Sequence, residues 1–354
     1  MPSAMHVFKL FYNKIEKRVV FFQKSCFDQA QIGWSEGHVK HMVKIGIIGV
    51  GNIGGALAHS LLGEPGVALY LYDIKSAMAR GKAKDLRQAA AIAGHGHTRI
   101  FVPERMSDLK ECDVVVVIAG LARQPGMDRT ALMQSNSAII QDVAQSLRGT
   151  EAVVLVVTNP VDAMTTLMTR LLDAPRGQVV GMAGILDEGR FCAAIAKILS
   201  IEPGDVTGCV VGAHNDSMVP LVSSIRWGGL PLSADQVDRL IIGGVIEQTR
   251  RGGADIVRLL GQGSAYYGPA EAAKVMVRAI IRDENRLLRC SVMLHGEYGG
   301  VKDLCCGTPV ILGRQGARHI LEYPLSPEEF IMLRLSIDTL RNELATMHQK
   351  DASA

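Results

Sequence analysis

The sequence lacks any run of apolar residues approaching the roughly 18 that a membrane-spanning helix needs. It also has little excess charge. The formal net charge is +3, and no basic run interleaved with aromatic residues indicates nucleic-acid binding. We therefore expect neither a membrane nor a nucleic acid as a partner. The composition favours a cytoplasmic protein that acts on a small molecule.

The seven cysteines show no C-x-x-C spacing of the kind found in zinc and redox sites. Their number is odd, and the neighbours Cys305 and Cys306 cannot easily meet disulfide geometry with each other. We therefore predict reduced, mostly buried thiols in a reducing compartment, and no metal site.

Aromatic residues are scarce after residue 41, because seven of the seventeen lie before it. The segment 1–41 contains acidic residues and a single arginine, whereas a transit peptide is rich in arginine and poor in acids. We predict that 1–41 is an atypical N-terminal extension. The remaining length suits two domains, which we place at 42–186 and 187–354.

From Met42 onward, short apolar strands alternate with amphipathic helices. Val114–Ile118 and Ala152–Val157 are apolar without alternation, as in strands covered on both faces. This order predicts an α/β fold with a doubly wound parallel sheet, the Rossmann arrangement. The second half reads as a mixed α+β domain that binds substrate. Predicted helices there lie at 187–199, 233–250, 268–282 and 326–349, the second and fourth with capping boxes at Ser233/Gln236 and Ser326/Glu329.

A glycine-rich turn, Gly49–Gly54, separates the first predicted strand from the first helix. In this G-x-G-x-x-G pattern the first glycine allows a tight turn, the second admits a pyrophosphate, and the third permits close packing of helix and strand. Asp73 ends the second strand, where a carboxylate accepts hydrogen bonds from a ribose and repels a 2′-phosphate. NAD is therefore favoured over NADP. The residues predicted to bind it here are Gly49, Gly51, Asn52, Ile53, Gly54 and Asp73.

Four further segments combine polar residues with strand ends. Ala119–Arg129 is a loop with two arginines, and Val157–Asp162 is a polar turn after an apolar strand. Leu186–Arg190 carries an aspartate and an arginine one helical turn apart, and Gly212–Asp216 contains a histidine. In a doubly wound fold the loops that follow strands face the cofactor crevice.

With these motifs in this order, the chain resembles the lactate/malate dehydrogenase family, and specifically its lactate-dehydrogenase-like malate dehydrogenases. The resemblance runs from about Val43 to the last helix and includes 263–267 and 296–299. It implies a reaction of the tricarboxylic acid cycle, the NAD-dependent oxidation of malate to oxaloacetate. It also implies a homodimer or a homotetramer.

The family mechanism implies a role for each matching residue. His214 would be the general acid/base and Asp187 its orienting carboxylate. Arg190 would hold the C1 carboxylate of the substrate through two parallel hydrogen bonds. Arg129 would polarise the carbonyl, and Asn159 would donate to the substrate oxygen and lie near the cofactor.

Three more positions follow from the resemblance. Asn136 and the backbone near Val157 would help to seat the cofactor. Arg123 stands where malate enzymes of this type carry arginine and lactate enzymes commonly carry glutamine. A guanidinium there would pair with the second carboxylate of oxaloacetate, which is costly to bury alone. Ala265 would leave room for that longer substrate.

One residue departs from the family pattern, since Asn215 follows the histidine where glycine is usual. If the position requires a positive φ, asparagine is among the better-tolerated replacements. Two alternatives to malate oxidation remain open. One is a lactate or other 2-hydroxy-acid dehydrogenase, and the other is a catalytically silent NAD-binding protein.

Overall fold

The computed structural model describes residues 42–121 and 129–351. The predicted extension 1–41, Cys26 and Arg123 lie outside these ranges, as does the side chain of Arg129. The strands of the described residues are Val43–Ile48 (β1), Val67–Tyr72 (β2), Arg99–Phe101 (β3), Val114–Val117 (β4), Val153–Val156 (β5), Val179–Gly181 (β6), Val206–Val211 (β7), Val219–Trp227 (β8), Leu230–Pro231 (β9), Arg286–His295 (β10), Lys302–Gly313 (β11) and Gly316–Ile320 (β12).

The α-helices of the described residues lie mainly between these strands, and two short 3-10 helices and a helical turn, Glu297–Gly300, accompany them. The helices are Asn52–Ser60 (α1), Ser76–Ile92 (α2), Arg129–Ser146 (α3), Val161–Leu172 (α4), Gly184–Leu199 (α5), Ala234–Ile242 (α6), Val245–Leu260 (α7), Tyr267–Ile281 (α8) and Pro327–Asp351 (α9). No helix of the described residues is long and apolar enough to span a membrane.

The main sheet contains a parallel half with the order β3-β2-β1-β4-β5-β6. This is the strand order of a dinucleotide-binding fold, in which the crevice lies at the carboxyl ends of the strands where the order reverses. The predicted doubly wound sheet is thus confirmed. All four residues of β4 are 0% exposed, which explains its apolar sequence without alternation.

Two apolar cores cover the two faces of this sheet. Side chains of α1, α2 and α8 pack on one face, and side chains of α3, α4 and α9 pack on the other. A third core lies between α5 and the separate antiparallel sheet β7-β8-β9. Each large apolar side chain buried here contributes roughly 1.5–3 kcal/mol to folding.

The second half of the chain forms the small sheet β7-β8-β9 and also extends the main sheet. Strands β10, β11 and β12 continue the main sheet beyond β6 in antiparallel fashion, so that nine strands form one sheet. The junction pairs Ser291 with Gly181. A Cβ on Gly181 would lie 2.8 Å from the Cβ of Ser291, so the close approach depends on glycine.

The predicted helices of the second half agree with the structure in part. Both capping boxes are confirmed. However, the prediction of a single helix at 233–250 is wrong. The structure has two helices there, one ending at Ile242 and the next beginning at Val245, and Gly244 between them has φ +66°. The prediction also omitted α4, whose threonines are weak helix formers. Their hydroxyls donate to carbonyls four residues earlier, as in the buried Thr165 to Val161 (2.6 Å).

The thiols of the described cysteines are free, and all but the half-buried Cys192 are buried. Burial raises the pKa of the Cys112 thiol to about 12, because the thiolate is poorly solvated there. Thiols in this state are unreactive at neutral pH, in accordance with the predicted reduced cysteines.

Candidate active site

The glycine-rich turn connects the carboxyl end of β1 to α1. Gly49 has φ +93°, and a Cβ there would lie 2.6 Å from the backbone nitrogen of Ala119. A Cβ on Gly54 would lie 2.1 Å from the carbonyl oxygen of Gly49. These two glycines therefore permit the tight turn and the close helix packing that the sequence predicted.

Gly51 differs from its two neighbours in the motif, because a Cβ there would meet no atom of the described residues within 4 Å. The space beside it adjoins the first turn of α1, which begins with Asn52 and Ile53 and has no side-chain cap within the described residues. Uncapped N–H groups and the positive end of the helix dipole attract an anion. The turn can accordingly hold a phosphate group against the backbone.

Asp73 follows β2 and accepts two backbone hydrogen bonds. Its Oδ2 accepts from the N–H of Val50 at 3.0 Å, and its Oδ1 accepts from the N–H of Lys75 at 2.9 Å. The carboxylate therefore lies at the glycine-rich turn, as predicted for a ribose-binding residue. Lys82 of α2, which sequence reasoning missed, donates from Nζ to the carbonyl of Gly51 at 3.1 Å.

Asn136 of α3 is fully buried and joins two loops of the crevice. Its Oδ1 accepts from the N–H of Leu121 at 2.8 Å, and its Nδ2 donates to the carbonyl of Asn159 at 2.7 Å. Val157 is buried at the end of β5, and its N–H donates to Val117. The side chain of Asn159 itself is exposed to solvent. These residues shape the carboxyl edge of β4 and β5.

His214, Asp187 and Arg190 meet in one cluster, although 27 positions separate the histidine from the aspartate. Nδ1 of His214 lies 2.6 Å from Oδ2 of Asp187, and Nη1 of Arg190 donates to Oδ1 of the same carboxylate at 3.0 Å. Asp187 is 2% exposed, in the first turn of α5. The side chains of His214 and Arg190 are 10% and 18% exposed. The predicted catalytic pair and the predicted anion-binding arginine are therefore adjacent.

The electrostatics of this cluster favour a protonated imidazole. Burial by itself lowers the pKa of His214, but the charge of Asp187 and its hydrogen bond raise it, and the net pKa lies above the ordinary value. Because Nδ1 is bound to Asp187, Nε2 is the ring nitrogen that remains for a substrate. The ring can accordingly exchange a proton at Nε2 while Asp187 stabilises the charged form.

The backbone of His214 is held by Asp162, a residue in the predicted polar turn to which the sequence assigned no role. Oδ2 of Asp162 accepts from the N–H of His214 at 2.7 Å. Asp162 belongs to the first turn of α4, three residues after Asn159. This contact brings the histidine to the same edge of the sheet as the predicted cofactor residues. No motif signalled it, since the two residues are 52 positions apart.

Asn215 has a local structural role and is not among the described residues with positive φ. Its Oδ1 accepts from the N–H of Ser217 at 2.8 Å and from the hydroxyl of Ser217 at 2.6 Å. Its Nδ2 donates to Glu343 of α9 at 3.2 Å. The positive φ considered for this position is therefore absent, and the amide stabilises the turn that follows His214.

Helix α7 packs against Arg190 through two glycines in its interior. A Cβ on Gly252 would lie 3.3 Å from Cδ of Arg190, and a Cβ on Gly253 would lie 3.1 Å from its Nη2. The guanidinium is thus held between Asp187 and the backbone of α7. Farther along, Ala265 lies half-buried between α7 and α8.

The two arginines that the sequence predicts to bind substrate lie at the edge of the described residues or outside them. Arg123 belongs to residues 122–128, which the structure does not describe, and Arg129 is the first residue of α3 but without a described side chain. The Arg123 and Arg129 assignments stay predictions from the sequence.

Known proteins resemble this chain along almost its whole described length. A malate dehydrogenase of Sulfurimonas denitrificans is 42% identical over 310 residues, which is 86% of this chain and 96% of that enzyme. The crystal structure of Cryptosporidium parvum malate dehydrogenase matches with a TM-score of 0.81 and 34% identity, covering 87% of this chain and 99% of that chain. The crystal structure of lactate dehydrogenase from Eimeria maxima with NADH and oxamate matches with a TM-score of 0.82 and 31% identity. The match covers 90% of this chain and 98% of that chain.

Two family models match in succession. Residues 43–181 match the NAD-binding domain of lactate/malate dehydrogenase, and residues 185–351 match its alpha/beta C-terminal domain. Together with the strand order, the glycine-rich turn and the His214–Asp187 pair, these matches show that the chain belongs to the lactate/malate dehydrogenase family, whose members are NAD-dependent dehydrogenases.

Proposed function

We propose that this chain is a malate dehydrogenase that catalyses the reversible NAD-dependent oxidation of (S)-malate to oxaloacetate. The observation that carries the proposal is the 2.6 Å contact between His214 Nδ1 and Asp187 Oδ2, with Arg190 on the other oxygen of that carboxylate. This cluster offers a proton acceptor and an anion-binding group side by side, which a 2-hydroxy acid requires.

The crevice at the carboxyl edge of the sheet suits NAD. The open space beside Gly51 and the uncapped first turn of α1 accommodate a pyrophosphate, and Asp73 offers acceptors to a ribose. When bound, NAD would accept the hydride from C2 of malate. The residues that would hold it are Gly49, Gly51, Asn52, Ile53, Gly54, Asp73, Asn136, Val157 and Asn159.

His214 acts as the general base in the direction of malate oxidation and as the general acid in the reverse direction. Its Nε2 takes the proton of the C2 hydroxyl, and the resulting imidazolium is stabilised by Asp187 through Nδ1. Reduction of oxaloacetate therefore needs the protonated ring, and malate oxidation needs the neutral ring. The raised pKa of His214 favours the protonated form.

Three further side chains bind and polarise the substrate in this proposal. Arg190 holds the C1 carboxylate with its planar fork of donors, and its contact with Asp187 fixes the plane of that fork. Arg129 polarises the C2 carbonyl where negative charge develops. Asn159 donates to the same oxygen from its exposed side chain at the crevice.

Arg123 is the residue that favours malate over lactate. Oxaloacetate carries a second carboxylate, whose burial without a partner is costly. The guanidinium of Arg123 pairs with it, whereas pyruvate leaves the same guanidinium buried without a partner. The small side chain of Ala265 leaves room for the longer diacid.

The setting of the enzyme is part of the same proposal. We expect a homodimer or homotetramer in the cytoplasm, acting in the tricarboxylic acid cycle, with no nucleic acid or membrane as a partner. The mostly buried free thiols support a reducing compartment.

The test is a steady-state assay of the purified chain with NADH and either oxaloacetate or pyruvate. We expect kcat/KM to be much higher with oxaloacetate. In His214→Ala, kcat should fall at least about a hundredfold, the lower range of what a positioned acid/base supplies. His319→Ala serves as the control, because that histidine is exposed on β12 at the end of the sheet opposite β3.

A higher kcat/KM with pyruvate would contradict the choice of malate and support a lactate dehydrogenase, a family activity that the Eimeria maxima relative carries. NADH binding without turnover of either substrate would support the silent NAD-binding alternative.

A further inference from the structure

The carboxylate of Asp162 is buried in the interior of the protein, where a charged group is expensive. The residue is 4% exposed, and its neighbours include the buried thiols of Cys305 and Cys306. Burial raises the pKa of Asp162, while hydrogen bonds from Ser291 and from the N–H of His214 act against this increase. Such a group needs a function that an apolar side chain could not supply.

The two oxygens of Asp162 connect three separate elements. Oδ2 accepts from the backbone N–H of His214 at 2.7 Å, and Oδ1 lies 2.5 Å from the hydroxyl of Ser291 on β10. Asp162 itself lies in the first turn of α4, where the helix dipole favours a negative charge. The carboxylate therefore joins α4, β10 and the segment that follows β7.

The segment that carries His214 is bound on the other side as well. The N–H of Ala213 donates to Oγ of Ser336 on α9 at 2.9 Å, and Gly212 exchanges two backbone hydrogen bonds with Gly307 (2.9 and 3.0 Å). The N–H of the histidine itself is bound by the carboxylate of Asp162. The backbone nitrogen of His214 is two covalent bonds away from Cβ, the atom that carries the imidazole.

We propose that Asp162 is a positioning residue that fixes the main chain of His214, so that the imidazole keeps Nδ1 on Asp187 and Nε2 toward the substrate. The inference rests on the proposed function. A displacement of the reacting group by about 1 Å can cost up to about a hundredfold in rate. The fixed N–H therefore matters for catalysis beyond its effect on folding.

Two variants separate the hydrogen bond from the charge. Asp162→Asn keeps an oxygen that can accept from the N–H of His214, and Asp162→Ala removes it. We expect the alanine variant to lose kcat by roughly ten- to a hundredfold, while the dissociation constant for NADH stays unchanged. The asparagine variant should keep most of the wild-type kcat. Thr165→Val is the matched control, because it removes a buried hydrogen bond to Val161 from the same helix without touching His214.

The pH profile distinguishes positioning from a purely structural role. Among the side chains that the structure describes, the charged groups that face His214 are Asp187 and Arg190 on α5 and Asp162 on α4, and Glu343 on α9 binds the neighbouring Asn215. Loss of Asp162 removes a negative charge and loosens the Asp187 contact, and both changes lower the pKa of the imidazole. The alkaline limb of kcat/KM for oxaloacetate should therefore move to lower pH in the alanine variant. A smaller shift in the same direction is expected in the asparagine variant.

Two results would overturn the inference. One is an alanine variant that folds with wild-type kcat and an unshifted pH profile. The other, decisive also if the alanine variant fails to fold, is a folded asparagine variant whose kcat falls by a hundredfold although it keeps the acceptor for the N–H of His214. Failure of the proposed function is distinct from both, because the wild-type chain would then not reduce oxaloacetate.

Discussion

The backbone N–H of Val50 donates to Oδ2 of Asp73 at 3.0 Å, across 23 positions of sequence. The carboxylate that we propose to bind the ribose thus also ties the glycine-rich turn to the end of β2. Cofactor selection and the geometry of the turn depend on the same side chain.

Asp73→Ser should weaken NAD binding and reduce the preference against NADP. The variant loses acceptors for the ribose and the charge that repels a 2′-phosphate. Hydrogen bonds to a charged group contribute about 1.5–3 kcal/mol, so KM for NAD should rise roughly ten- to a hundredfold. Steady-state kinetics with both cofactors measure the change, and Asp85→Ser on the exposed face of α2 is the control. Unchanged KM values for both cofactors would refute the assignment.

Asp187→Asn should shift the pH dependence of oxaloacetate reduction to lower pH. Burial, the largest single cause, lowers the pKa of His214, but the charge and the hydrogen bond of Asp187, with the charge of Asp162, together raise it above the ordinary value. Without the charge of Asp187 the pKa falls, so the protonated ring needed for reduction is lost at a lower pH. An asparagine amide can also donate to Nδ1 and select the wrong tautomer, which should reduce kcat at least about a hundredfold. An alkaline limb at the wild-type pH would argue against His214 as the proton donor.

Gly253→Ala should raise KM for oxaloacetate without destabilising the protein. Alanine is favoured over glycine in a helix by about 1 kcal/mol, but the new Cβ would lie 3.1 Å from Nη2 of Arg190. The guanidinium must move by a few tenths of an ångström, and we expect a roughly tenfold increase in KM. Gly81→Ala on α2 is the matched control, because a Cβ there meets no atom of the described residues within 4 Å. Equal kinetics in the two variants would show that α7 does not position Arg190.

Arg123→Gln should shift the preference from oxaloacetate toward pyruvate. Removal of the guanidinium leaves the second carboxylate of oxaloacetate unpaired, which should cost a few kcal/mol at the transition state, or roughly two orders of magnitude in kcat/KM. Pyruvate lacks that carboxylate and loses nothing. The ratio of the two kcat/KM values measures the effect, with the surface variant Arg105→Gln as the control. An unchanged ratio would remove the main support for malate as the substrate.

The sequence predicted most of the parallel half because its strands and helices have strong local signals. Continuous apolar runs mark β4 and β5, and the glycine motif marks the turn after β1. The site was predicted residue by residue through a family resemblance, and His214, Asp187 and Arg190 do meet.

What the sequence could not predict depends on long-range contacts. The bond between Asp162 and His214 and the packing of Gly253 on Arg190 join residues far apart in the chain. No local pattern encodes such pairs. The three-residue strand β6 carries too little periodicity to be recognised, although it joins the two halves of the main sheet.

That junction bears on how the chain could be divided. The family models end and restart between residues 181 and 185, which invites expression of either half alone. A fragment ending there would expose β6 as an open edge, with backbone donors and acceptors ready to pair with another chain. It would also uncover the apolar faces on which α8 and α9 pack. The boundary between the two matched segments is therefore a poor place to divide the protein. Fragments made there should aggregate.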